Sequence, residues 1–138
     1  MISEIQYFEC IPSIDDYNAL FETTGWNEEY HFSKNELEEA VKNSWYIISA
    51  YHYQQLIGFG RVIADGIHHA LIVDLIVHPE FQNNGIGSEI LKRLVKKCKG
   101  NGIRDIQLFS AKGKSEFYEK FGFEKRPCDA PGMQLKHT

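Results

Sequence analysis

The chain has 138 residues and a net charge of −4, with 43% hydrophobic and 13% aromatic residues. This length predicts one domain spanning residues 1–138, and the apolar content favours a buried core over disorder. The acidic balance argues against a nucleic-acid partner, and the lack of an apolar run of about 20 residues argues against a membrane partner. No basic region followed by an apolar segment opens the sequence, and the three cysteines lack a pairing pattern, which favours a reduced, cytoplasmic setting.

The N-terminal third predicts a strand followed by two helices. Alternating residues over 2–8 indicate the strand. Ser13 and Ser33 each precede an amphipathic pattern and are typical N-cap residues. The second of them forms a capping box with Glu36. Residues 26–32, between the two helices, are an aromatic-rich loop.

The middle of the chain predicts a hairpin and then a central strand. Residues 45–53 and 56–64 are two apolar runs of strand length, and an Asp-Gly turn follows the second. Residues 69–78 contain a dense aliphatic run, which Pro79 ends because proline cannot donate to a sheet ladder.

The next segment combines a strand end, a glycine turn and a helix. Residues 82–87 read Gln-Asn-Asn-Gly-Ile-Gly, and helical spacing of apolar residues follows as far as residue 99. The first N–H groups of a helix lack partners, and glycine lets an anion approach the backbone closely. The segment therefore indicates either an anion cradle or a tight turn that needs two glycines. In a cradle, Gln82, Asn83 and Asn84 would add neutral donors.

The C-terminal third predicts alternating strands and helices. The expected elements are a strand over 104–109, a helix that ends near Phe121, a strand at Phe123–Lys125 and a closing strand at Met133–Leu135.

Three segments, taken together, resemble one known family. Residues 77–87 resemble the acetyl-coenzyme A signature of the GCN5-related N-acetyltransferases (GNAT), which is Gln/Arg-x-x-Gly-x-Gly/Ala after a strand ending in Val-x-Pro. Residues 117–123 resemble the family's Tyr-x-x-x-Gly-Phe landmark. Residues 58–66 resemble a hairpin strand of the branch that includes plastid serotonin/lysine N-acetyltransferases and small bacterial members. The resemblance covers about residues 45–135.

The resemblance implies an α/β (α+β) fold: a mixed sheet of six to seven strands, with helices on both faces and a splayed central strand. It implies acetyl-CoA as co-substrate and no metal, and homodimers are common in the family. If the central strand bulges, backbone N–H groups near Leu75 and Val77 would stabilise the oxyanion. The implied cofactor-binding residues are Leu75, Ile76, Val77, Gln82, Asn83, Asn84, Gly85, Ile86, Gly87, Ser88 and Tyr118.

Two side chains are the candidate catalytic residues. Tyr118 matches the family's tyrosine, whose phenol would protonate the departing thiolate; the alternative is a helix tyrosine that packs on the sheet. Asp74 is the charged side chain within the aliphatic strand, where a carboxylate must be hydrogen-bonded or partly wet. By alternation it shares a face with Ile72, Ile76 and His78. It could bind the acceptor ammonium, accept a proton through water, or serve as a structural carboxylate tied to a loop or to Arg61.

Other aromatic and histidine side chains allow two interpretations each. His68 and His69 are adjacent, so on a strand they would point to opposite faces and could not hold one metal ion. Trp26, Tyr30 and Trp45 could line an aromatic acceptor pocket or pack in a core or interface.

The sequence thus predicts an acetyl-CoA-dependent N-acetyltransferase. Its partner would be a primary amine, either a small molecule such as an arylalkylamine or the lysine side chain of a peptide, which attacks the bound thioester directly. The alternative is a non-catalytic acyl-CoA-binding or regulatory module on the same fold. A pure protein-interaction domain would leave the glycine turn unexplained.

Overall fold

The computed structural model describes residues 4–136. The chain divides into two compact units, Met1–Leu108 and Phe109–Thr138. A single domain over residues 1–138 therefore stays a prediction. The start of the first expected strand, residues 2 and 3, lies outside the described residues. In the described part of the chain, no helix has the length and apolar character needed to cross a membrane.

The first unit contains a mixed sheet with helices on both faces. Its elements are β1 (Ile5–Phe8), α1 (Ile14–Glu22), α2 (Asn27–Tyr30), α3 (Lys34–Lys42), β2 (Tyr46–His52), β3 (Gln55–Ala64), β4 (His69–Val77), a 3₁₀ turn (Pro79–Phe81), α4 (Ile86–Gly100) and β5 (Asp105–Leu108). Between residues 4 and 136 the sheet has five strands in the order β1-β2-β3-β4-β5. Strands β1 to β4 are antiparallel neighbours, and β4 pairs in parallel with β5.

The first and third helices begin where the sequence predicts. The Ser13 hydroxyl accepts a hydrogen bond from the Asp16 N–H at 3.1 Å, which caps α1. The Ser33 hydroxyl accepts from the Glu36 N–H at 3.2 Å, and the Glu36 carboxylate accepts from the Ser33 N–H at 2.9 Å. This reciprocal capping box fixes the start of α3.

One face of the sheet packs against α1 and α3. The buried residues of this cluster are Tyr17, Leu20, Phe21, Leu37, Val41, Ile47, Leu56, Phe59 and Ile76. At its centre the Tyr17 and Phe59 rings meet edge-on with centroids 4.7 Å apart. Ring packing of this kind contributes beyond area burial alone, so it fixes α1 on the sheet.

The opposite face of the sheet packs against α4 where glycine residues of β3 lie under the helix. A Cβ atom on Gly60 would lie 2.7 Å from the Ile90 Cγ2 and 2.9 Å from the Leu94 Cδ1. Ile90 and Leu94 lie on α4 and are both fully buried. Glycine at this position therefore sets how closely the helix approaches the sheet.

Replacing Gly60 with alanine should destabilise the protein by about 1–3 kcal/mol, because the added methyl group overpacks this contact. Urea denaturation would measure the change. Gly100→Ala is the matched control, since a Cβ there meets nothing within 4 Å, and we expect no loss of stability from it. Equal denaturation midpoints for the two variants would contradict the packing argument.

The second unit has little regular structure. Its helix, α5, spans Ser115–Glu119. In the described part of this unit, residues 123–125 and 133–135 are not strands. Pro127 and Pro131 have no N–H to donate to a ladder, which disfavours sheet pairing here. The described sheet accordingly has five strands where six to seven were predicted.

Candidate active site

The central strand β4 contains a bulge beside β3. Arg61 pairs with Val73, and Phe59 pairs with Ile76, so between these pairs β4 has one more residue than β3. Asp74 lies in the bulge with a φ of 53°. This left-handed conformation is uncommon for residues other than glycine, although Asp adopts it more readily than most. The bulge interrupts the ladder in the middle of the strand.

The bulge overturns the expected alternation of side chains along β4. Ile72 pairs with Val62, whereas Ile76 pairs with Phe59. Val62 and Phe59 are three positions apart on a regular part of β3 and so point to opposite faces. Ile72 and Ile76 therefore lie on opposite faces too. The prediction that Asp74 shares a face with both was wrong, because the extra residue reverses the alternation.

β4 also loses its parallel neighbour partway along. β5 pairs only with His69–Ile72, and within residues 4–136 no other strand pairs with β4 on that side. The His78 N–H donates to the Ile57 carbonyl at 2.8 Å, on the β3 side. Because N–H groups alternate sides along a strand, those of Val77 and Leu75 point to the open side. Backbone donors with no ladder partner suit an oxyanion.

The helix that follows β4 begins with partnerless N–H groups. Gly85 is the N-cap of α4, has a φ of 78°, and provides no side-chain cap. The first helical hydrogen bond runs from the Glu89 N–H to the Gly85 carbonyl at 3.0 Å. The N–H groups of Ile86, Gly87 and Ser88 thus precede it, at the positive end of a 15-residue helix. This arrangement fits a phosphate group of coenzyme A.

The amide side chains of the turn donate hydrogen bonds to backbone carbonyls of the same segment. The Gln82 amide donates to the Val77 carbonyl at 3.1 Å. The Asn84 amide nitrogen donates to the carbonyls of Phe81 and Gln82, at 3.1 and 2.9 Å. Both hydrogens of Asn84 are then used within the loop. The Asn84 amide therefore shapes the loop, and its role in binding the cofactor stays a prediction.

Asp74 is paired with an arginine on the neighbouring strand. The Arg61 Nε donates to the Asp74 Oδ2 at 2.7 Å, and the two side chains are 12% and 23% exposed. The Arg61 Nη1 also donates to the Ala40 carbonyl at 3.1 Å and to the Ser44 hydroxyl at 3.3 Å. The structural pairing of Asp74 with Arg61, one of the alternatives for this carboxylate, is therefore present. Asp74 also lines a cavity.

That cavity measures about 790 Å³ and lies between the sheet and the segment from α1 to α3. Its lining residues are Tyr17, Phe21, Trp26, Glu29, Tyr30, Phe32, Glu36, Leu37, Glu39, Ala40, Asn43, Arg61 and Asp74. Trp26 and Tyr30 are among the predicted candidates, whereas Trp45 is not among the lining residues. Burial, and then the charge of Asp74, raise the pKa of Tyr17, so its phenol is neutral.

The amphipathic pattern after Ser13 places Tyr17 and Phe21 on the apolar face of a helix and assigns them no site role. The cavity glutamates likewise carry no signal of a site role in the sequence. The spacing of apolar residues identifies a buried face but does not tell which part of that face borders a void. The aromatic-rich segment between the helices was the available signal.

Tyr118 lies on α5 in the second unit. Its ring meets those of Phe117 and Phe123 edge-on, with centroids 5.1 and 6.3 Å apart. Burial raises the pKa of Tyr118 above its ordinary value. The phenol is therefore protonated at neutral pH, which is the state that a proton donor needs.

His68 and His69 do not point to opposite faces, contrary to what the sequence predicted for two adjacent residues on a strand. The rings of His68 and His69 stack with centroids 3.7 Å apart, because His68 precedes β4 and does not follow its alternation. The His69 Nδ1 lies 3.2 Å from the Asp105 Oδ2. Across residues 4–136, no group of three or more His, Cys, Asp or Glu side chains is arranged to hold a metal ion.

Comparisons with known proteins agree with this geometry. A family model described as an acetyltransferase (GNAT) domain matches residues 43–125. An uncharacterized N-acetyltransferase ycf52 of Pyropia yezoensis is 32% identical over 122 residues, covering 86% of this chain and 68% of the relative. The chloroplastic GCN5-related N-acetyltransferase 1 of Arabidopsis thaliana is 35% identical over 77 residues, covering 56% and 39% of the two chains.

A solved structure has the same fold. The crystal structure of a probable acetyltransferase from meticillin-resistant Staphylococcus aureus aligns with a TM-score of 0.81 and 29% identity, over 96% of this chain and 99% of that one. The predicted α/β fold is thus confirmed. The chain belongs to the GCN5-related N-acetyltransferase family and is an acetyl-CoA-dependent N-acetyltransferase.

Proposed function

We propose that this enzyme acetylates a primary amine held in the cavity beside Asp74, by direct attack of the amine on the bound thioester. The observation that carries the proposal is the position of the cavity. Its lining includes the bulge residue Asp74 of β4, the strand whose open side presents the N–H groups of Leu75 and Val77. An acceptor in this cavity would lie next to the donors that suit the reacting carbonyl.

The lining of the cavity suits an ammonium group on an apolar body. Aromatic rings attract a cation through their faces, and carboxylates attract it by charge. Trp26 packs edge-on against Phe21 with centroids 5.9 Å apart, and Tyr30 stacks on Phe32 with centroids 5.4 Å apart. An arylalkylamine, a lysine side chain or another small primary amine has this combination of features. We propose that Asp74 binds the acceptor ammonium and accepts its proton through water.

The remaining roles follow from the chemistry of acyl transfer. Acetyl-CoA supplies an activated carbonyl, so no enzyme nucleophile is needed. The N–H groups of Ile86, Gly87 and Ser88 would hold its phosphates. The N–H groups of Leu75 and Val77 would stabilise charge on the carbonyl oxygen. Tyr118 would donate the proton that the departing thiolate needs.

The test is release of free coenzyme A thiol from acetyl-CoA across a panel of amines. The panel contains tryptamine-like amines, polyamines and lysine peptides, with a no-amine reaction as the baseline. Amine-dependent release, with the acetylated amine identified by mass spectrometry, is the expected result. Binding of acetyl-CoA without release by any amine would favour the non-catalytic module instead.

Trp26→Ala should raise the KM for the acceptor roughly tenfold, because it removes a ring that faces the cation. The KM for acetyl-CoA should stay the same, since the cradle at the start of α4 is a separate site. Steady-state kinetics with the best amine of the panel would measure both constants. Tyr53→Ala is the control: this residue is 69% exposed and is not a lining residue of the cavity. A rise in the acceptor KM of both variants would argue against the assigned pocket.

A further inference from the structure

One guanidinium group joins the β4 bulge to the wall of the acceptor cavity. Arg61 lies on β3 and is 12% exposed, and its Nε donates to the Asp74 Oδ2 at 2.7 Å. A charge this poorly hydrated needs a partner, and removing one member of such a pair leaves the other uncompensated. The contact therefore holds both side chains in one geometry.

The same side chain reaches the end of α3. The Arg61 Nη1 donates to the Ala40 carbonyl at 3.1 Å and to the Ser44 hydroxyl at 3.3 Å. The Ala40 carbonyl also accepts from the Asn43 N–H at 3.2 Å. The last carbonyls of a helix carry partial negative charge, so a cation is favoured there. Arg61, Asp74 and Ala40 all line the cavity.

The bulge itself needs a restraint. Asp74 has a φ of 53°, a conformation that costs some strain even for aspartate and that contacts of its side chain help to hold. The side chain of Asp74 is fixed by Arg61, and the neighbouring residue Leu75 supplies one of the N–H groups on the open side of β4. A small rotation at Asp74 would change the direction of that N–H.

We propose that Arg61 is a positioning residue for acetyl transfer. Through Asp74 it fixes the bulge, and with it the N–H groups of Leu75 and Val77, and through Ala40 it keeps the cavity wall in register with them. This inference rests on the proposed function, which assigns those N–H groups to the reacting carbonyl. Arg61 acts through its neighbours and contacts no reacting atom.

The first test is Arg61→Lys. A lysine keeps the charge, but its single ammonium lacks the planar fork that serves Asp74 and α3 together. We expect kcat to fall about 10- to 100-fold, because misdirected oxyanion donors cost this much. The KM for acetyl-CoA should change less than twofold. A wild-type kcat would overturn the proposal.

The double variant Arg61→Gln/Asp74→Asn separates positioning from charge balance. It leaves no uncompensated charge, so its thermal stability should exceed that of Arg61→Gln alone. Because Asp74 is itself assigned to the acceptor amine, the readout for this variant is the backbone and not kcat: the Leu75 and Val77 amide signals should stay away from their wild-type positions, since the neutral pair does not restore the bulge geometry. Return of those signals to their wild-type positions together with stability would show that Arg61 only balances charge, and would overturn the proposal.

A spectroscopic arm tests the geometry without catalysis. In ¹H–¹⁵N spectra, the Leu75 and Val77 amide signals should shift in Arg61→Lys, while those of the cradle, Ile86 to Ser88, stay in place. Unmoved Leu75 and Val77 signals would overturn the proposal even if the wild type acetylated no amine. If the Leu75 and Val77 signals shift in Arg61→Lys but the wild type acetylates no amine, Arg61 still restrains the bulge and the proposed function is rejected.

Discussion

Tyr118→Phe should lower kcat for amine acetylation by about 100-fold while leaving the affinity for acetyl-CoA nearly unchanged. The substitution removes a single oxygen atom, and with it the proton that the departing thiolate would take. Burial holds the pKa of Tyr118 above its ordinary value, so the phenol is fully protonated at neutral pH. For the same reason, deprotonation of this group should not limit kcat below about pH 10.

The experiment compares kcat and the Kd for acetyl-CoA in the wild type and the variant. Tyr53→Phe serves as the control, since it removes the same atom from a tyrosine that is 69% exposed on the hairpin between β2 and β3. Equal losses in kcat and in acetyl-CoA affinity for Tyr118→Phe would show that the tyrosine orients the cofactor and does not donate a proton. If Tyr118→Phe kept the wild-type kcat, another group or water would have to protonate the departing thiolate.

The sequence predicted the parts of the fold that depend on local signals. The capping box of Ser33 and Glu36 involves residues three apart, and it is present with both hydrogen bonds. The strand that Pro79 ends and the helix that follows the glycine turn also appear as expected. Each of these features depends on residues that are near one another in the chain, so periodicity and capping rules reach them.

The bulge at Asp74 could not be predicted in the same way. It depends on how β4 pairs with β3, and no residue type in the strand requires it. Its consequence is large for the site, because Ile72 and Ile76 lie on opposite faces of the sheet where alternation predicts one shared face. The conditional expectation that a bulge would free N–H groups came from the family resemblance and not from the residues of the strand.

The turn before α4 shows the same limit at shorter range. Its composition indicated either an anion cradle or a tight turn. The use of the Asn84 amide depends on the loop's conformation, in which Asn83 has a φ of 65°. The amide then faces the carbonyls of Phe81 and Gln82. The Gln82 and Asn84 amides donate within the loop, which leaves the backbone N–H groups as the proposed donors to an anion.

Gly85→Ala should raise the KM for acetyl-CoA by about 10- to 100-fold, the loss expected when one or two charge-assisted hydrogen bonds are misaligned. The φ of Gly85 is 78°, and an alanine there costs about 1–2 kcal/mol of strain. Because a Cβ at this position meets nothing within 4 Å, the effect would come from the backbone and not from a collision. As the chain relaxes toward negative φ, the N–H groups of Ile86 to Ser88 would turn away from the phosphate.

Gly102→Ala is a closely matched control. Gly102 follows the other end of α4, has a φ of 73°, and also has open space where a Cβ would be. Both variants should lose a similar amount of stability, measured by thermal unfolding, because they carry the same backbone strain. Only Gly85→Ala should weaken acetyl-CoA binding. If both variants raised the KM equally, the loss would reflect general loosening of α4, and the first turn of the helix would lose its assignment as the phosphate site.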